Sequence, residues 1–585
     1  MKMLAADPEL IRIGNCSGFY GDRLGAVREM LEGGHLDVLT GDYLAELTML
    51  ILARDKAKDP NTGYAKTFVK QMEDCLGLAL DKGVQIVVNA GGVNPAGLAL
   101  RLRGVAESLG LPAQIAYVEG DDITPGAEEF GLGRPLTANA YLGAFGIVEC
   151  LRAGADVVVT GRVTDASLVV APAAAHFGWS RSDYGEIAGA MVAGHVIECS
   201  TQATGGNYSH FAEIADLRRP GFPLAEIRRD GTAIITKHPN TGGCVNIDTV
   251  NAQLMYEIQG ARYAGPDATA RMDSISLARV GPDRVLISGA AGEPPPPQTK
   301  ISLNSIGGYR NEIEFVLTGL DIDAKAALVQ NQLTSWLTDQ PAQMEWTLAR
   351  VDRDDAPSEE QASALLRCVV RDRDPNKVGR AFTGPAIELA LASYPGFHTT
   401  SPPANGSVYG VFTAGYLDNA LIPHVAVLPD GSRVDVAPAP RTQPLIDVPE
   451  PQLPDPWPSN RVRRAPLGTI ALARSGDKGG NANIGVWVRT DEQYRWLVHS
   501  LTCAQLRRLL PEVEQLPVIR TALPRLRAVN FVIEGLLGAG VAFNARFDPQ
   551  AKGLGEWLRS RHIDIPVEFL DSGSEDAALG HGARL

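Results

Sequence analysis

Several common catalytic signatures are missing from this 585-residue chain. No G-x-x-x-x-G-K-[ST] loop is present, which removes the usual cradle for nucleoside triphosphates. Nor is there an H-E-x-x-H zinc helix or a G-x-S-x-G nucleophile elbow. The seven cysteines, at 16, 75, 150, 199, 244, 368 and 503, are scattered and form no C-x-x-C pair. That spacing predicts reduced, mostly buried thiols of a cytoplasmic protein, with no disulfide framework or zinc knuckle. Positive charge is in deficit: 54 Lys and Arg stand against 68 Asp and Glu, for a net charge of -14. A broad electrostatic footprint for nucleic acid or an anionic membrane is therefore not expected. No apolar run is long enough to span a bilayer, and MKMLAADPELIRIG lacks the apolar stretch and cleavage site of a signal peptide.

What is there is an ordinary folded composition, 45% apolar and 21% charged. The length exceeds what one core usually sustains, which predicts roughly two to four domains. The chain is organised around the stretch from Ile11 to Glu46. An apolar run, Ile11 to Ile13, breaks into a small-residue turn at Gly14, Asn15, Cys16, Ser17 and Gly18. Asp22 is placed to cap a helix bearing Leu24, Val27, Met30 and Leu31 on one face, and Gly33 and Gly34 stop it. Leu36 to Leu39 then reads as a second strand ending in Thr40, Gly41 and Asp42. Strand, glycine-rich turn, helix, glycine, strand is a βαβ unit.

Three later segments repeat this construction, Val84 to Val88, Gln114 to Val118 and Ala155 to Val159, each following a helical stretch that stops at a glycine and each closing in glycine and polar residues. The fold class expected is thus α/β, with a mainly parallel open sheet over residues 10–190. Residues 191–433 read as an α+β layer. Within it HVIECSTQATGGNYSHF looks β-rich, and the run from EIEFVLTG to GPAIELALA reads as β, α, β, β, α, a split βαβ. Proline crowds 434–460, an expected extended linker. Beyond it, 461–585 outlines a smaller α/β domain, with strands at Leu467 to Leu472 and Val567 to Leu570 among others, closing in a frayed tail, SGSEDAALGHGARL.

In an open parallel sheet, ligands bind outside the carboxyl ends of the strands, where these turns converge. The glycines at 14, 18 and 21 do not fit the dinucleotide fingerprint G-x-G-x-x-G. Asp42, Asp121, Asp122 and Asp165, with Glu46, cluster at the strand ends. Helix capping explains any one of them; paired carboxylates moving protons explain why so many turns carry one. The candidate catalytic set is Asp42, Asp122, Asp165 and Arg162, the arginine serving to clamp a carboxylate or phosphate, with an ion pair to Asp165 as the alternative. Candidate substrate-binding residues are Asn15, Ser17, Asn89, Gly91, Gly92 and Asn94, whose turns are able to hold a carbonyl or carboxylate. His195, His210, His238 and His398 have no metal-ligand spacing and read as structural or exposed.

A second polar, glycine-rich loop, Arg474 to Asn481, carries charge that a plain hairpin does not need. Ser475, Asp477 and Lys478 are expected to face the N-terminal crevice and close it against water, or else to stabilise a hairpin on a far surface. No redox cofactor and no zinc are expected. A weakly held divalent cation is compatible with the many hard oxygen ligands.

GNCSGFYGDR, LTGDYLAELTMLILA, KDPNTGYAKTFV, VVNAGGVNP, VEGDD, NAYLGA, VVVTGRVTDAS, QATGGN and QLMYEI, with LARSGDKGGNANIGVW after the linker, closely resemble the acyclic terpene utilisation protein AtuA family over almost the full length. That resemblance implies an AtuA core followed by a C-terminal domain of ferredoxin-like fold. It also implies a part in the bacterial catabolism of citronellol, geraniol and related branched acids as CoA thioesters, so that CoA enters as part of the substrate. Cys16 stands where the family pattern is expected to hold a small residue such as alanine. The expected activity is that of a lyase or hydratase on a branched-chain acyl-CoA or carboxylate, the protein being a homo-oligomer with a small-molecule substrate and no nucleic-acid or membrane partner. A non-catalytic subunit delivering acyl groups to a carboxylase is the alternative.

Overall fold

The computed structural model describes residues 8–459 and 461–571, with the backbone alone at Glu46. The expected tail, 572–585, lies outside them. The described residues form two compact units: one from 8–304, 412–541 (without 460) and 550–571, the other from Ser305–Val411 and Ala542–Pro549.

The first unit is built on an eleven-stranded sheet. Its centre is β1 (Leu10–Asn15), β2 (Val38–Gly41), β3 (Gln85–Val88), β4 (Ile115–Glu119) and, after the short β5 (Thr137–Ala140), β6 (Val157–Thr160). They lie in the order β1, β2, β3, β6, β4 and are mutually parallel. Val, Ile and Leu run almost unbroken through them because helices cover both faces. The sheet extends past the parallel part through antiparallel β7 (Pro223–Arg228) and β8 (Ala233–Lys237) beside β1, and through Val425–Val427 beside β4.

The connecting helices are α1 (Ala26–Gly33), α2 (Glu46–Lys58), α3 (Lys66–Lys82), α4 (Pro95–Ser108), α5 (Phe145–Arg152), α6 (Ser167–Phe177) and α7 (Tyr184–Ile197). Asp22 does not cap α1, which starts only at Ala26; its carboxylate instead accepts hydrogen bonds from the Gly18 and Arg23 amides and tightens the turn. HVI, expected in a strand, is the end of α7, and Ser200–Thr204 continues as a 3-10 turn. The β-branched residues there misled because α7 is apolar on every side, the mark of a helix buried all round.

Helix α7 packs unusually close to its neighbours. A Cβ at Gly189 would lie 2.1 Å from the Gly231 carbonyl oxygen, and one at Gly194 would lie 2.9 Å from Ala166 Cα. Gly189→Ala is expected to destabilise the protein by about 1–3 kcal/mol, since a backbone carbonyl must move to admit the methyl group. Denaturant unfolding measures this, and an unchanged midpoint would show that α7 has slack. Asn15 fixes the far end of α7: its Nδ2 donates to the carbonyls of Ile197, at 2.7 Å, and Glu198, at 3.1 Å.

The C-terminal part of the first unit carries an antiparallel sheet of Leu472–Lys478, Asn481–Trp487, Ala528–Ile533 and Val518–Leu523, in that order. Leu467–Thr469 is a 3-10 turn and not strand, and the chain from Val567 is helical. The expected charged loop is a tight hairpin: Arg474 to Lys478 lie on one strand, Gly479 and Gly480 turn with φ 64° at Gly479, and Asn481 begins the next. Residues 436–459 have no regular strand or helix. In the second unit, Gln343–Ala349, Ser363–Asp372 and the distal half of Gln298–Thr318 form an antiparallel sheet that packs on the helix Ile322–Trp336 through Phe315, Leu317, Val329 and Leu333. Among the described residues, no helix is long and apolar enough to cross a membrane.

Candidate functional site

Parallel register places the last polar residues of the central strands in one row. Asn15 pairs with Thr40, Gly41 with Val88, Val88 with Val159 and Val118 with Thr160, so Asn15, Asp42, Asn89, Asp121 and Arg162 all emerge at the same edge. All five are buried. Their hydrogen bonds interlock. Asn89 Nδ2 donates to Asp42 Oδ1 at 2.5 Å, and Asn89 Oδ1 accepts from the Tyr43 amide at 2.7 Å. Asp42 also accepts from the Leu44 amide. Asp121 Oδ2 accepts from the Arg162 amide and from Asn139 Nδ2, both at 2.9 Å.

Arg162 is the hub. Its Nη1 donates to the Leu44 carbonyl at 2.9 Å and its Nη2 to Asp165 Oδ1 at 2.5 Å. Its guanidinium lies 4.4 Å from the centre of the Tyr141 ring, and Lys300 Nζ lies 4.8 Å from that same ring. Cations gather on an aromatic face because its quadrupole is negative there.

The end of α7 adds a second buried set that the sequence reading passed over. His195 Nδ1 is 3.3 Å from Glu198 Oε1, while His195 Nε2 and Glu198 Oε2 have no hydrogen-bond partner among the described residues. His195 packs on Tyr263, ring centres 4.7 Å apart. Burial pushes the Glu198 carboxyl well above the usual range, and the nearby Asp165 and Glu257 push it further. Burial likewise raises Asp42, with Asp165 as the next cause. His195 moves the other way, down to about 4, by burial and then by Lys478. Both shifts favour the uncharged pair, a protonated Glu198 carboxyl beside a neutral His195. The missed signal was the H-x-x-E spacing at the end of an otherwise apolar stretch, which puts both side chains on one face of a helical turn.

The hairpin closes over these groups. Lys478 Nζ is 3.7 Å from Glu257 Oε2 and contributes positive potential to both His195 and Glu198. Arg474 lies 4.5 Å from the Tyr256 ring centre, and Lys552 Nζ donates to the Tyr256 hydroxyl. Asp477 is buried. Cys199 belongs here as well, and burial raises its thiol strongly.

The other candidates are placed differently. Asp122 is exposed and closes a turn on the Thr124 amide; the buried member of the Asp121–Asp122 pair is Asp121. Asn94 caps α4 through the Gly97 amide and donates to the Thr62 carbonyl. Gly91 and Gly92 are demanded by packing: a Cβ at Gly91 would lie 2.4 Å from the Thr160 oxygen and one at Gly92 would lie 2.3 Å from Leu52, where φ is also +54°. Ser17 donates to the Phe19 carbonyl, and Ser475 bridges the Lys552 carbonyl and the Gly555 amide. Cys16 donates to the Thr40 carbonyl beneath Gly41, so its thiol is a packed structural group. His238 Nε2 donates to the Met30 carbonyl, His210 pairs with Glu213, and His398 sits in the second unit.

No three His, Cys, Asp or Glu converge as a metal site among the described residues. The arrangement offers two carboxyl groups whose hold on a proton burial strengthens, set against Arg162 and Lys478, which suits proton transfer beside a bound anion or polarised carbonyl.

Residues 11–428 match the family described as acyclic terpene utilisation family protein AtuA, and residues 465–564 match the AtuA ferredoxin-like domain. No curated protein matches the chain.

Proposed function

The chain belongs to the acyclic terpene utilisation family AtuA, and from that premise we propose that it is an enzyme of this catabolism, a lyase or hydratase acting on a branched-chain acyl-CoA or the corresponding carboxylate. Family membership supports a role in acyclic terpene utilisation. The observation that carries the chemical reading is the buried meeting of Glu198 and Asp42, raised by burial, with Arg162 and Lys478.

In the hydration direction, Glu198 gives its proton to one carbon of the conjugated double bond while water adds to the other. The water proton passes to a carboxylate of the cluster, Asp165 being the one only half-buried, and the cations hold the carbonyl oxygen as charge develops on it. Elimination is the reverse. CoA is part of the substrate; no redox cofactor is required, and a divalent cation, if one binds, binds weakly. The protein works in the cytoplasm as a homo-oligomer, without nucleic acid or membrane.

The test is incubation of the pure protein with a panel of branched acyl-CoAs, followed by mass spectrometry. A mass change of 18 Da without any added partner is expected, and Glu198→Gln should slow it about 10²–10⁴-fold. Tight binding with no turnover by the wild type would overturn the enzyme reading in favour of an acyl-delivering subunit for a partner carboxylase.

A further inference from the structure

Arg474 is 4% exposed, yet its charge is poorly met. Nη1 donates to the Asn207 carbonyl at 3.2 Å, and the guanidinium rests 4.5 Å from the Tyr256 ring centre. Nε and Nη2 have no hydrogen-bond partner, and no ion pair reaches the residue among the described residues. Those two nitrogens form the edge of the guanidinium that takes a carboxylate side-on. At three other arginines the same edge is filled by a carboxylate: Arg28 grips Asp74 with it, Arg262 grips Glu293 and Arg271 grips Asp273. A buried guanidinium with that edge empty is expensive, since burying an uncompensated charge costs several kcal/mol.

The surroundings are arranged for an anion. Tyr256 is flanked by two cations, Arg474 and Lys552, each 4.5 Å from its ring centre. Glu257, the nearby acid, is already paired with Lys478. Three non-glycine residues with left-handed backbone border the place: Ser200 beside Cys199, Asn207 whose carbonyl meets Arg474, and Glu257. Such strain persists where the surrounding structure holds it for a purpose. The hairpin strand approaches closely because Gly476 leaves room for Tyr256; a Cβ there would lie 2.3 Å from the ring.

We propose that the Nε and Nη2 edge of Arg474 is the seat of a free carboxylate carried by the substrate, with Lys552 alongside. This rests on the proposed reading and narrows its substrate class to acyl compounds bearing a carboxylate in addition to the acyl group that reacts. A planar two-oxygen anion fits the edge in a single plane, and the neighbouring acids disfavour a dianionic phosphate.

Glutarate, dimethyl glutarate and inorganic phosphate serve as probes in thermal-shift and calorimetric titrations of the full chain. Glutarate is expected to raise the melting temperature saturably, and its dimethyl ester is not. Arg474→Met keeps the packing on Tyr256 and removes the unmet charge. It should melt at or above the ligand-free wild type and lose the glutarate response, whereas an arginine with a structural partner would be missed on melting. Arg474→Lys, which keeps charge but not the fork, should bind glutarate at least about 10-fold more weakly. Equal glutarate affinity in Arg474→Lys, a surviving shift in Arg474→Met, a stronger response to phosphate, or no response in the wild type would each overturn the proposal. Turnover of the acyl-CoA panel is scored separately: turnover with unchanged glutarate binding in the variants sinks the carboxylate seat alone, and Arg474-dependent glutarate binding with no turnover sinks the enzyme reading alone.

Discussion

Arg162→Met is expected to abolish turnover to within the detection limit, a loss of at least about 10³-fold, and to cost about 3 kcal/mol of stability. The side chain makes two charge-assisted bonds, to the Leu44 carbonyl and to Asp165, and both disappear together. Asp165 is then left with its charge beside Asp42 and Glu198, whose protonation it already favours. The stability cost falls at the low end for a broken ion pair because the Asp165 side chain is 29% exposed and water compensates part of the loss. The Asp121 bond survives, since it uses the backbone amide of residue 162. Denaturant unfolding and the acyl-CoA assay check the two halves of this expectation. A variant as active as the wild type to within about tenfold would remove Arg162 from the chemistry and leave it a structural clamp.

Asp121→Asn should reshape the dependence of stability on pH. Burial raises the Asp121 carboxyl from 3.8 to about 7, against the lowering effect of the hydrogen bonds from the Arg162 amide and Asn139. Below pH 4 the folded and unfolded chains both hold the proton, and Asp121 adds no pH dependence. Between 4 and 7 the folded chain keeps a proton that the unfolded chain has released, so stability falls as pH rises through that window. The full loss is about 4 kcal/mol, some three pK units at 1.36 kcal/mol each. His195 acts in the opposite sense: its lowered value means that stability is lost as pH falls from the ordinary histidine range towards about 4. Comparing wild type and Asp121→Asn at each pH cancels that contribution. The variant should gain on the wild type by about 4 kcal/mol between pH 4 and pH 8, and parallel curves would show that Asp121 is ionised throughout.

The central sheet was legible because its signals are local. Apolar runs that end in glycine and polar residues, each following a helix stopped by a glycine, specify parallel strands with their carboxyl ends together, and Asn15, Asp42, Asn89 and Arg162 followed from that placement alone. Asp122 was mistaken for its neighbour. In a strand-end turn, adjacent residues point to opposite sides, and only the pairing of Asp122 with Asn139 decides which one is buried. Glu198, Glu257 and Tyr263 were not legible, because the long return from α7 through residues 198–263 has no periodic pattern to say that it doubles back onto the sheet edge. Lys478 was expected to face the crevice, or else to lie on a far hairpin; what the sequence did not show is that Arg474 to Lys478 form one strand, with Arg474 buried in it as well. Polar and glycine-rich composition marks such a segment as a loop, and only the pairing of Leu472–Lys478 with Asn481–Trp487 shows it to be strand.

The hairpin's position late in the chain sets an order of events during synthesis. A ribosome-bound chain that has just released Asp435 has all eleven strands of the large sheet, with Asp42, Arg162, Asp165, His195, Glu198 and Glu257 already on it. Arg474, Lys478 and Lys552 have yet to be made, so Glu257 lacks its partner Lys478 and the nascent site lacks all three cations. The half-made protein holds this sheet edge without the hairpin that covers it. The cations and the cover of the sheet edge arrive together, in the last fifth of translation.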